Sequence, residues 1–379
     1  MNSIELIGEN GQPFEWRPGG RSVPAIPRSR FVTRRVFAAA HVVADPVTST
    51  VDWKATMAFR HHLWQLGFGV AEAMDTAQRG MGLDWAMARE LIVRTAGEAD
   101  ASDAPAVYGA GTDQLPEGAT VTVPAVIDAY REQVRLIESV GGMAILMASR
   151  ALASIAMSAE DYLEVYGTII SGAEGPVMIH WLGEVFDPAL AGYWGSHDPG
   201  TALETVLTLA AAHPDRIDGV KISLLDDRLE RSMRAGLPAG VRTYTGDDFN
   251  FVDMILGDGS GHSDALLGVL DPIAPVAAAA FEALDAGDRE RFRTLLDPTI
   301  PFARHLFSAP TYHYKTGITF LAFLNGHQNH FRMLGGGEKA RSMAHLSRLL
   351  VLADDAALLV DPDLALQRMS HLLAMSGFE

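Results

Sequence analysis

One lysine in this sequence lies where a charged side chain is costly. Residues 216–225 read Arg-Ile-Asp-Gly-Val-Lys-Ile-Ser-Leu-Leu, a pattern typical of a buried parallel strand with Lys221 near its middle. A buried ammonium group costs several kcal/mol unless it is paired or neutralised, and burial can lower a lysine pKa by about 3 to 5 units. A neutral lysine can attack a ketone and form an imine, which then accepts electrons from a breaking C–C or C–O bond. The pattern therefore favours imine chemistry at Lys221.

The residues around Lys221 would leave space for a substrate. In a strand, Gly219, Lys221 and Ser223 share one face, and apolar residues occupy the other face. The chain has four lysines in all, and we expect the other three to lie in solvent: Lys54, Lys315 and Lys339. If Lys221 instead has only a structural role, its side chain extends to the strand end and pairs with Asp226 or Asp227.

His180 is the candidate proton carrier for such an imine. It lies in the short apolar run 176–181, which precedes the Lys221 run among the predicted strands, and it shares a face with Met178. The ordinary pKa of an imidazole lies close to neutral pH, as a proton shuttle requires. The alternative is a core histidine held by hydrogen bonds.

Further polar residues are expected near the ends of the predicted strands. Arg150 could clamp a substrate carboxylate or phosphate through two N–H groups, although a surface ion pair fits equally well. Asp247 and Asp248 precede an apolar helix, so they either contact substrate or cap that helix. His262 ends the glycine-rich loop 257–262, which weakly suggests an anion site, although a flexible turn also fits.

Short apolar runs alternate with helical patterns from residue 35 onward, at 36–41, 68–74, 106–111, 142–147, 176–181, 216–225, 241–245 and 265–269. Parallel strands need helical crossovers, and eight such repeats over about 235 residues match the size of a (β/α)8 barrel. A doubly wound sheet would also alternate, but no glycine-rich nucleotide loop follows the first run. We therefore predict an α/β fold, namely a (β/α)8 TIM barrel.

The regions on either side of this alternation differ in pattern. Residues 1–34 are rich in Gly, Pro and Arg and predict an irregular or hairpin-like leader. After the last run the pattern is helical, at 275–286, 288–307, 316–331, 338–353 and 362–375. The first of these helices can close the barrel, and the others predict a C-terminal helical extension. The expected domains are therefore 1–34, the barrel at 35–286 and the extension at 287–379.

Composition restricts the class of protein. The 48% hydrophobic and 20% charged residues are typical of an ordinary globular chain. A net charge of -17 without a basic stripe argues against a nucleic-acid or anionic-membrane partner. The sequence contains no cysteine, which excludes disulfides and thiolate chemistry. No signal peptide or long apolar span is visible, so we expect a cytoplasmic protein with a small-molecule substrate.

The order of segments resembles the dihydrodipicolinate synthase/N-acetylneuraminate lyase superfamily of class I aldolases, over roughly residues 35–350. The stretch Gly219-Val-Lys-Ile-Ser223 resembles the family's sixth-strand Schiff-base motif, and Tyr244-Thr-Gly-Asp-Asp248 resembles its seventh-strand turn. Pro176-Val-Met-Ile-His180 looks like the fifth strand, and residues 257–269 with the following Ala274-Pro275 look like the glycine-rich eighth-strand region. The chain is identified as a divergent, dihydrodipicolinate synthase-like branch.

The sequence departs from that family at three places. His180 stands where the family has its fifth-strand catalytic tyrosine, and the fourth strand ends Met147-Ala-Ser-Arg150 where a tyrosine is common. The family's Gly-Thr-Thr-Gly-Glu carboxylate-binding loop is replaced by Ala73-Met-Asp-Thr-Ala-Gln78, in which Thr76 can retain part of that role. These changes leave the imine lysine in place and put a pyruvate-type substrate and lysine biosynthesis in doubt.

The leading prediction is a Schiff-base-forming lyase, of the aldolase or dehydratase type, acting on a 2-oxo acid or a sugar-derived keto acid. Lys221 would form the imine and His180 would move protons, with Thr76 and Arg150 as anion contacts. The resemblance implies no cofactor and no metal, and it implies a homo-oligomer.

Two other functions are also compatible with these residues. The first is a metal-dependent sugar isomerase or aldolase-type barrel, with Mn or Zn held by Glu72, Asp75, His180 and either Glu184 or His262. The second is a non-catalytic barrel that binds a metabolite, a hypothesis motivated by the loss of the family's tyrosines and threonine loop.

Overall fold

The computed structural model describes residues 3–21, 23–24, 30–115 and 121–378. The strands within these ranges are β1 Ile4–Ile7, β2 Pro13–Trp16, β3 Val36–Ala39, β4 Gly69–Glu72, β5 Ala106–Ala110, β6 Met143–Leu146, β7 Val177–Leu182, β8 Ile217–Ser223, β9 Arg242–Thr245 and β10 Asp264–Leu267. The helices are α1 Trp53–Gln65, α2 Trp85–Ala101, α3 Val123–Ser139, α4 Arg150–Ile155, α5 Ala159–Gly172, α6 Pro199–Ala212, α7 Asp227–Gly236, α8 Phe251–Leu256, α9 Ala274–Asp285, α10 Arg289–Leu296, α11 Ile300–Leu306, α12 Tyr314–Leu324, α13 Met343–Asp355 and α14 Pro362–Met375.

Strands β3 to β10 form a closed barrel in which each strand pairs with the next one along the chain. Every pairing is parallel, and β10 closes the ring by pairing with β3, where Ala265 lies opposite Val36. Each of the eight predicted runs overlaps one of these strands. The predicted (β/α)8 TIM barrel with C-terminal helices is therefore confirmed.

The chain divides into two compact units. One consists of Arg34–Ala40 and Gly69–Gly268 and contains all eight barrel strands. The other consists of Met1–Thr33, His41–Phe68 and Val269–Glu379. The domain limits expected from the sequence, after residues 34 and 286, stay a prediction.

Apolar side chains fill the interior of the barrel, as the alternation of the strands requires. The buried cluster contains Phe37, Ala39, Ala71, Met74, Val107, Ile145, Met147, Met178, Tyr244 and Leu266. Its members identify the inward face of every barrel strand except β8, because residues two apart along a strand point to the same side. On β7, for example, Met178 points inward, and His180 therefore does so too.

Charged side chains join the amino ends of four strands. Arg35 pairs with Asp218 at 2.7 Å, and the Tyr244 hydroxyl donates to the same carboxylate at 2.6 Å. Arg242 pairs with Asp264 at 2.9 Å, and the backbone N–H of Arg35 donates to Asp264 at 2.8 Å. These pairs stabilise the amino end of the barrel where β10 closes it. The carboxyl ends of the strands are not occupied by these pairs.

Several helices of the barrel unit begin at a side-chain cap, which satisfies backbone N–H groups left free at a helix start. Examples are Asp84 before α2, Thr122 before α3 and Ser149 before α4. Helix α7 was not predicted from the sequence, since it is short and strongly charged. Its Asp226 cap accepts from the N–H groups of residues 228 and 229 at 3.0 and 3.2 Å.

The second unit contains the β1–β2 hairpin, α1 and helices α9 to α14. The helix predicted at 288–307 is interrupted between α10 and α11, because Pro298 and Pro301 lack the N–H that a continuous helix needs. The expectation that Lys315 is solvated is wrong. This lysine is 5% exposed, and its Nζ donates to the Tyr312 carbonyl at 3.1 Å.

None of the helices in the described part of the chain combines the length and the apolar character that crossing a membrane requires.

Candidate functional site

His180 and Lys221 lie side by side inside the barrel. They are direct partners in the register of β7 and β8, and Lys221 is also the partner of Tyr244 on β9. His180 is completely buried and Lys221 is 7% exposed. Because Met178 and Tyr244 belong to the inward cluster, both side chains point into the barrel. The structure thus brings together the two residues that the sequence singled out for chemistry.

Burial determines the electrostatic state of Lys221. It lowers the pKa of the ammonium group, and the negative charges of Asp75 and Asp248 raise this pKa by less than burial lowers it. Asp226, one of the partners expected in the structural alternative, caps α7, and Asp227 lies 3.4 Å from Arg231. A larger fraction of Lys221 is therefore neutral than is usual for lysine, as a nucleophilic amine requires.

The His180 imidazole is neutral. Burial, together with the nearby charge of Lys221, holds its pKa well below the usual histidine value. Its Nε2 lies 3.1 Å from the Ser223 hydroxyl. Its Nδ1 is buried and has no hydrogen-bond partner among the residues that the structure describes. Within the described structure this nitrogen is therefore left without a hydrogen bond inside the barrel.

Gly246 allows the chain to approach this pair closely. A Cβ at this position would contact the Ser223 hydroxyl, would lie 2.8 Å from the Ile222 carbonyl oxygen and would lie 2.9 Å from Lys221 Cε. The Gly246 N–H donates to that same Ile222 carbonyl at 2.9 Å. A side chain here would therefore push against the amine, so the turn after β9 needs glycine.

The two aspartates after Gly246 are in different environments. Asp247 caps its own turn, because its carboxylate accepts from the N–H groups of Phe249 and Asn250 at 2.9 and 3.1 Å and from the Asn250 side chain at 2.7 Å. Asp248 is 4% exposed, and its charge acts on Lys221. Of the pair, only Asp248 has a charge that acts on Lys221.

The loop after β4 supplies the other charge that acts on Lys221. Residues 75–77 form a 3-10 turn in which Asp75 is half-buried and Thr76 is 2% exposed. The following Arg79 is buried and donates to the carbonyls of Ala73 and Gly109 at 3.2 and 3.1 Å. Sequence reasoning missed Arg79, since no motif marks an arginine that holds two strand ends together.

A cavity of about 650 Å³ opens at the carboxyl ends of the strands. Its lining includes Asp75, Thr112, Met147, Arg150 and Leu182. Lys221 is not among the lining residues, so Asp75 is the residue that connects the cavity with the lysine. The volume lies within the range of roughly 300 to 1,000 Å³ that small-molecule pockets occupy.

Arg150 lines this cavity, as its place at a strand end predicted. Its side chain is 55% exposed, and its Nε lies 2.5 Å from an Asp187 carboxylate oxygen. This is the ion-pair alternative considered for this residue.

Three buried tyrosines, Tyr130, Tyr166 and Tyr193, lie behind the end of β6. The hydroxyls of Tyr166 and Tyr193 are 2.9 Å apart, and the Ser149 N–H donates to Tyr193 at 2.9 Å. Burial raises the pKa of all three, so they remain protonated. They come from distant parts of the chain, and no local pattern predicts that they meet.

His262 is not brought to this site, which corrects its expected placement. It precedes β10 instead of following it, so it lies at the amino end of a parallel strand. It is exposed, and the charges that act on it come from Arg34, Arg234, Arg242 and Asp264. None of these residues acts on Lys221.

The ligands required by the metal-dependent alternative are also separated. Glu72 is engaged elsewhere, because its carboxylate accepts from the Thr95 hydroxyl at 2.6 Å and from the Ala73 N–H at 2.8 Å. Glu184 is exposed, while His180 points into the barrel. Among the described residues, no three His, Asp or Glu side chains are grouped in a way that could hold a metal ion.

The sequence profile of a family described as "Protein of unknown function (DUF993)" matches residues 4–378. The chain belongs to this family. A comparison with curated proteins found no significant match.

Solved structures of the dihydrodipicolinate synthase family share the fold. The enzyme of Aquifex aeolicus matches with a TM-score of 0.66 at 14% identity, covering 86% of this chain and 99% of its own. A prophage protein of that family from E. coli, in complex with pyruvate, matches with a TM-score of 0.64 at 16% identity. The match covers 92% of this chain and 100% of the prophage protein. The Acinetobacter baumannii synthase complexed with pyruvate matches with a TM-score of 0.65 at 16% identity. The match covers 86% of this chain and 100% of the synthase. The resemblance recognised from the sequence is thus confirmed at the level of the fold.

Proposed function

We propose that this protein is a Schiff-base-forming lyase, of the aldolase or dehydratase type, in which Lys221 forms an imine with a keto substrate. The observation that carries the proposal is the buried, inward-facing Lys221, whose pKa burial lowers, directly beside a neutral His180. The shared fold supports it, since two of the similar structures are complexes with pyruvate.

The first step joins the Lys221 nitrogen to the carbonyl carbon. The carbonyl oxygen leaves as water, taking one proton from the amine and one from an acid, and a protonated imine remains. The charges of Asp75 and Asp248, which already act on this nitrogen, stabilise the cation that forms. The low exposure of the site strengthens this effect, because charges interact more strongly away from water.

His180 carries the proton in the second step. Its neutral imidazole accepts a proton from the substrate hydroxyl in an aldol cleavage, or from the carbon next to the imine in a dehydration. The electrons of the broken bond move to the imine, which becomes an enamine. In an aldol cleavage the enamine takes the proton back, whereas in a dehydration it expels the hydroxyl group on the next carbon, which takes the proton and leaves as water. A further water then hydrolyses the resulting imine to release the product and Lys221.

The resemblance suggests a 2-oxo acid or a sugar-derived keto acid as substrate. We propose Arg150 as the residue that contacts its distal part, since Arg150 is half-exposed at the cavity, and Thr76 and Asp248 as residues nearer the lysine. Asp247 would hold the turn that positions Asp248. A cytoplasmic location and a homo-oligomeric state are further proposals that rest on the resemblance.

The test is borohydride reduction in the presence of a panel of 2-oxo acids and keto sugars, followed by intact-mass spectrometry. We expect a stable adduct on the native protein and none on Lys221→Ala. Lys54→Ala, which removes an exposed lysine, is the matched control and should keep the adduct. Absence of any adduct in folded protein would contradict the proposal, and stabilisation by a ligand without an adduct would favour the binding barrel.

A further inference from the structure

We infer that Asp75 determines the substrate class, and that the Lys221 site takes an uncharged hydroxyketone in preference to a 2-oxo acid. The inference rests on the proposed imine function, and it departs from the acid substrates that the resemblance suggests. It starts from the position of Asp75, which lines the cavity and also acts on Lys221 through its charge. A ketone that reaches the amine from the cavity therefore passes the Asp75 carboxylate, whose charge acts on the same nitrogen.

The cationic side chains of the cavity are already neutralised. Arg79 pairs with Asp113, with Nε 2.9 Å from a carboxylate oxygen, and it also donates to the Gln133 side chain at 2.9 Å. Arg150 pairs with Asp187 at 2.5 Å. Among the described lining residues there is no third cation. A substrate carboxylate near Lys221 would therefore find no unpaired positive charge except the lysine itself.

After these pairs are set aside, two carboxylates of the cavity lining remain, and their charges act on different groups. Asp84 caps α2 by accepting from the Met87 N–H at 2.9 Å, so its charge is directed at a helix start. Asp75 makes no ion pair with an arginine within the described chain, and its charge is directed at Lys221. The cavity is therefore net negative, and the excess charge next to the lysine belongs to Asp75.

The position of Asp75 is fixed by its loop. The Gln78 N–H donates to the Asp75 carbonyl at 2.9 Å, and the Ala77 N–H donates to the Met74 carbonyl at 3.0 Å, which closes the 3-10 turn. At the start of the loop, Arg79 holds the Ala73 carbonyl at 3.2 Å. The backbone therefore cannot carry the carboxylate away when a charged substrate approaches.

The charge balance of the imine favours a neutral substrate. Asp75 and Asp248 together provide two negative charges for one imine cation. A 2-oxo acid would add a third negative charge at close range, whereas a hydroxymethyl group in the same place adds none. A hydroxyl group can in addition donate a hydrogen bond to a carboxylate, which a substrate carboxylate cannot do.

The test compares pyruvate with hydroxyacetone, which have the same three-carbon skeleton and differ by a carboxylate or a hydroxymethyl group beside the ketone. The rate of borohydride-trapped adduct formation is measured for both on the native protein, on Asp75→Asn and on Asp84→Asn. The ratio of the two rates is compared between proteins, so that the intrinsic reactivity of each ketone cancels. Asn is itself a good N-cap, so Asp84→Asn removes a cavity charge and keeps α2 capped.

We expect Asp75→Asn to shift the ratio toward pyruvate by about tenfold or more, and Asp84→Asn to leave it within about twofold of native. An unchanged ratio in Asp75→Asn, or an equal shift in both variants, would overturn the inference while the imine itself stands. An absence of adducts from both ketones, with adducts from other members of the panel, would also overturn the inference, whereas an absence of adducts from the whole panel of 2-oxo acids and keto sugars would overturn the proposed function as well.

Discussion

Lys221 lies directly opposite His180 across β8 and β7, and both side chains are buried within the barrel. Burial lowers the pKa of both groups, and the positive charge of Lys221 lowers that of His180 further. A neutral amine beside a neutral imidazole is the starting state that imine formation and proton transfer require.

Replacing His180 should separate imine formation from turnover. In His180→Gln the proton carrier is lost, so we expect the turnover rate to fall by roughly 10²- to 10⁴-fold, as is usual for a general acid–base residue. The reduced adduct on Lys221 should still form, because the amine remains. Ser223→Ala, which removes only the 3.1 Å contact to His180, is the matched control and should have a smaller effect. Turnover at the native rate in His180→Gln would show that another group moves the proton.

The rate of imine formation should depend on pH with a midpoint below the ordinary lysine value of 10.5, because burial lowers the pKa of Lys221. The charge of Asp248 raises this pKa, so Asp248→Asn should move the midpoint to lower pH. The measurement is the initial rate of borohydride trapping between about pH 6 and pH 10. A midpoint that rises in Asp248→Asn would have the wrong sign and would contradict the electrostatic account.

Gly246→Ala should destabilise the protein and block the lysine. The new Cβ would meet the Ile222 carbonyl at 2.8 Å and Lys221 Cε at 2.9 Å, and overpacking of this kind costs about 1 to 3 kcal/mol. Gly97→Ala is the matched control, because Gly97 lies within α2 with open space around its Cβ position and should gain about 0.5 to 1 kcal/mol. Urea unfolding measures both. Equal stability of the two variants would count against the close packing around Lys221.

Glu230 should make stability depend on pH. This carboxyl is buried between the hydroxyls of Thr245 and Ser263, at 2.9 and 2.6 Å, and burial raises its pKa from 4.5 to about 8. The folded protein therefore holds this proton more tightly than the unfolded chain does. The stabilisation is complete below pH 4.5 and is lost as pH rises to about 8, by an amount on the order of a few kcal/mol.

Glu230→Gln mimics the protonated carboxyl and should remove this part of the pH dependence. Between pH 5 and pH 8 its free energy of unfolding should fall less steeply than that of the native protein, as measured by urea titration at each pH. If the free energy of unfolding changes with pH in the same way for both proteins, Glu230 is ionised in the folded state.

The sequence was sufficient for the barrel and for its two central residues, because both depend on local signals. The alternation of small or polar with apolar residues around Lys221, and the alternation of runs with helices, identify strands and their order. Arg79, the tyrosines behind β6 and the role of Asp75 depend on contacts between loops far apart in the chain, which no local pattern encodes. His262 was misplaced although it precedes the predicted run 265–269, because a polar residue beside a strand was assigned to the site without regard to which end of the strand it flanks. The catalytic roles of Lys221 and His180 stay predictions.

The most direct test of the account is to locate the reduced adduct within the chain. Trypsin normally cleaves after Arg216, Lys221 and Arg228, so the native protein yields separate peptides 217–221 and 222–228. After reduction with a ketone that forms an adduct, we expect a single peptide spanning 217–228 that carries the added mass, since a modified lysine resists cleavage. An adduct found at Lys315, the other buried lysine, or an unmodified peptide 217–221 in fully labelled protein, would contradict imine formation at Lys221.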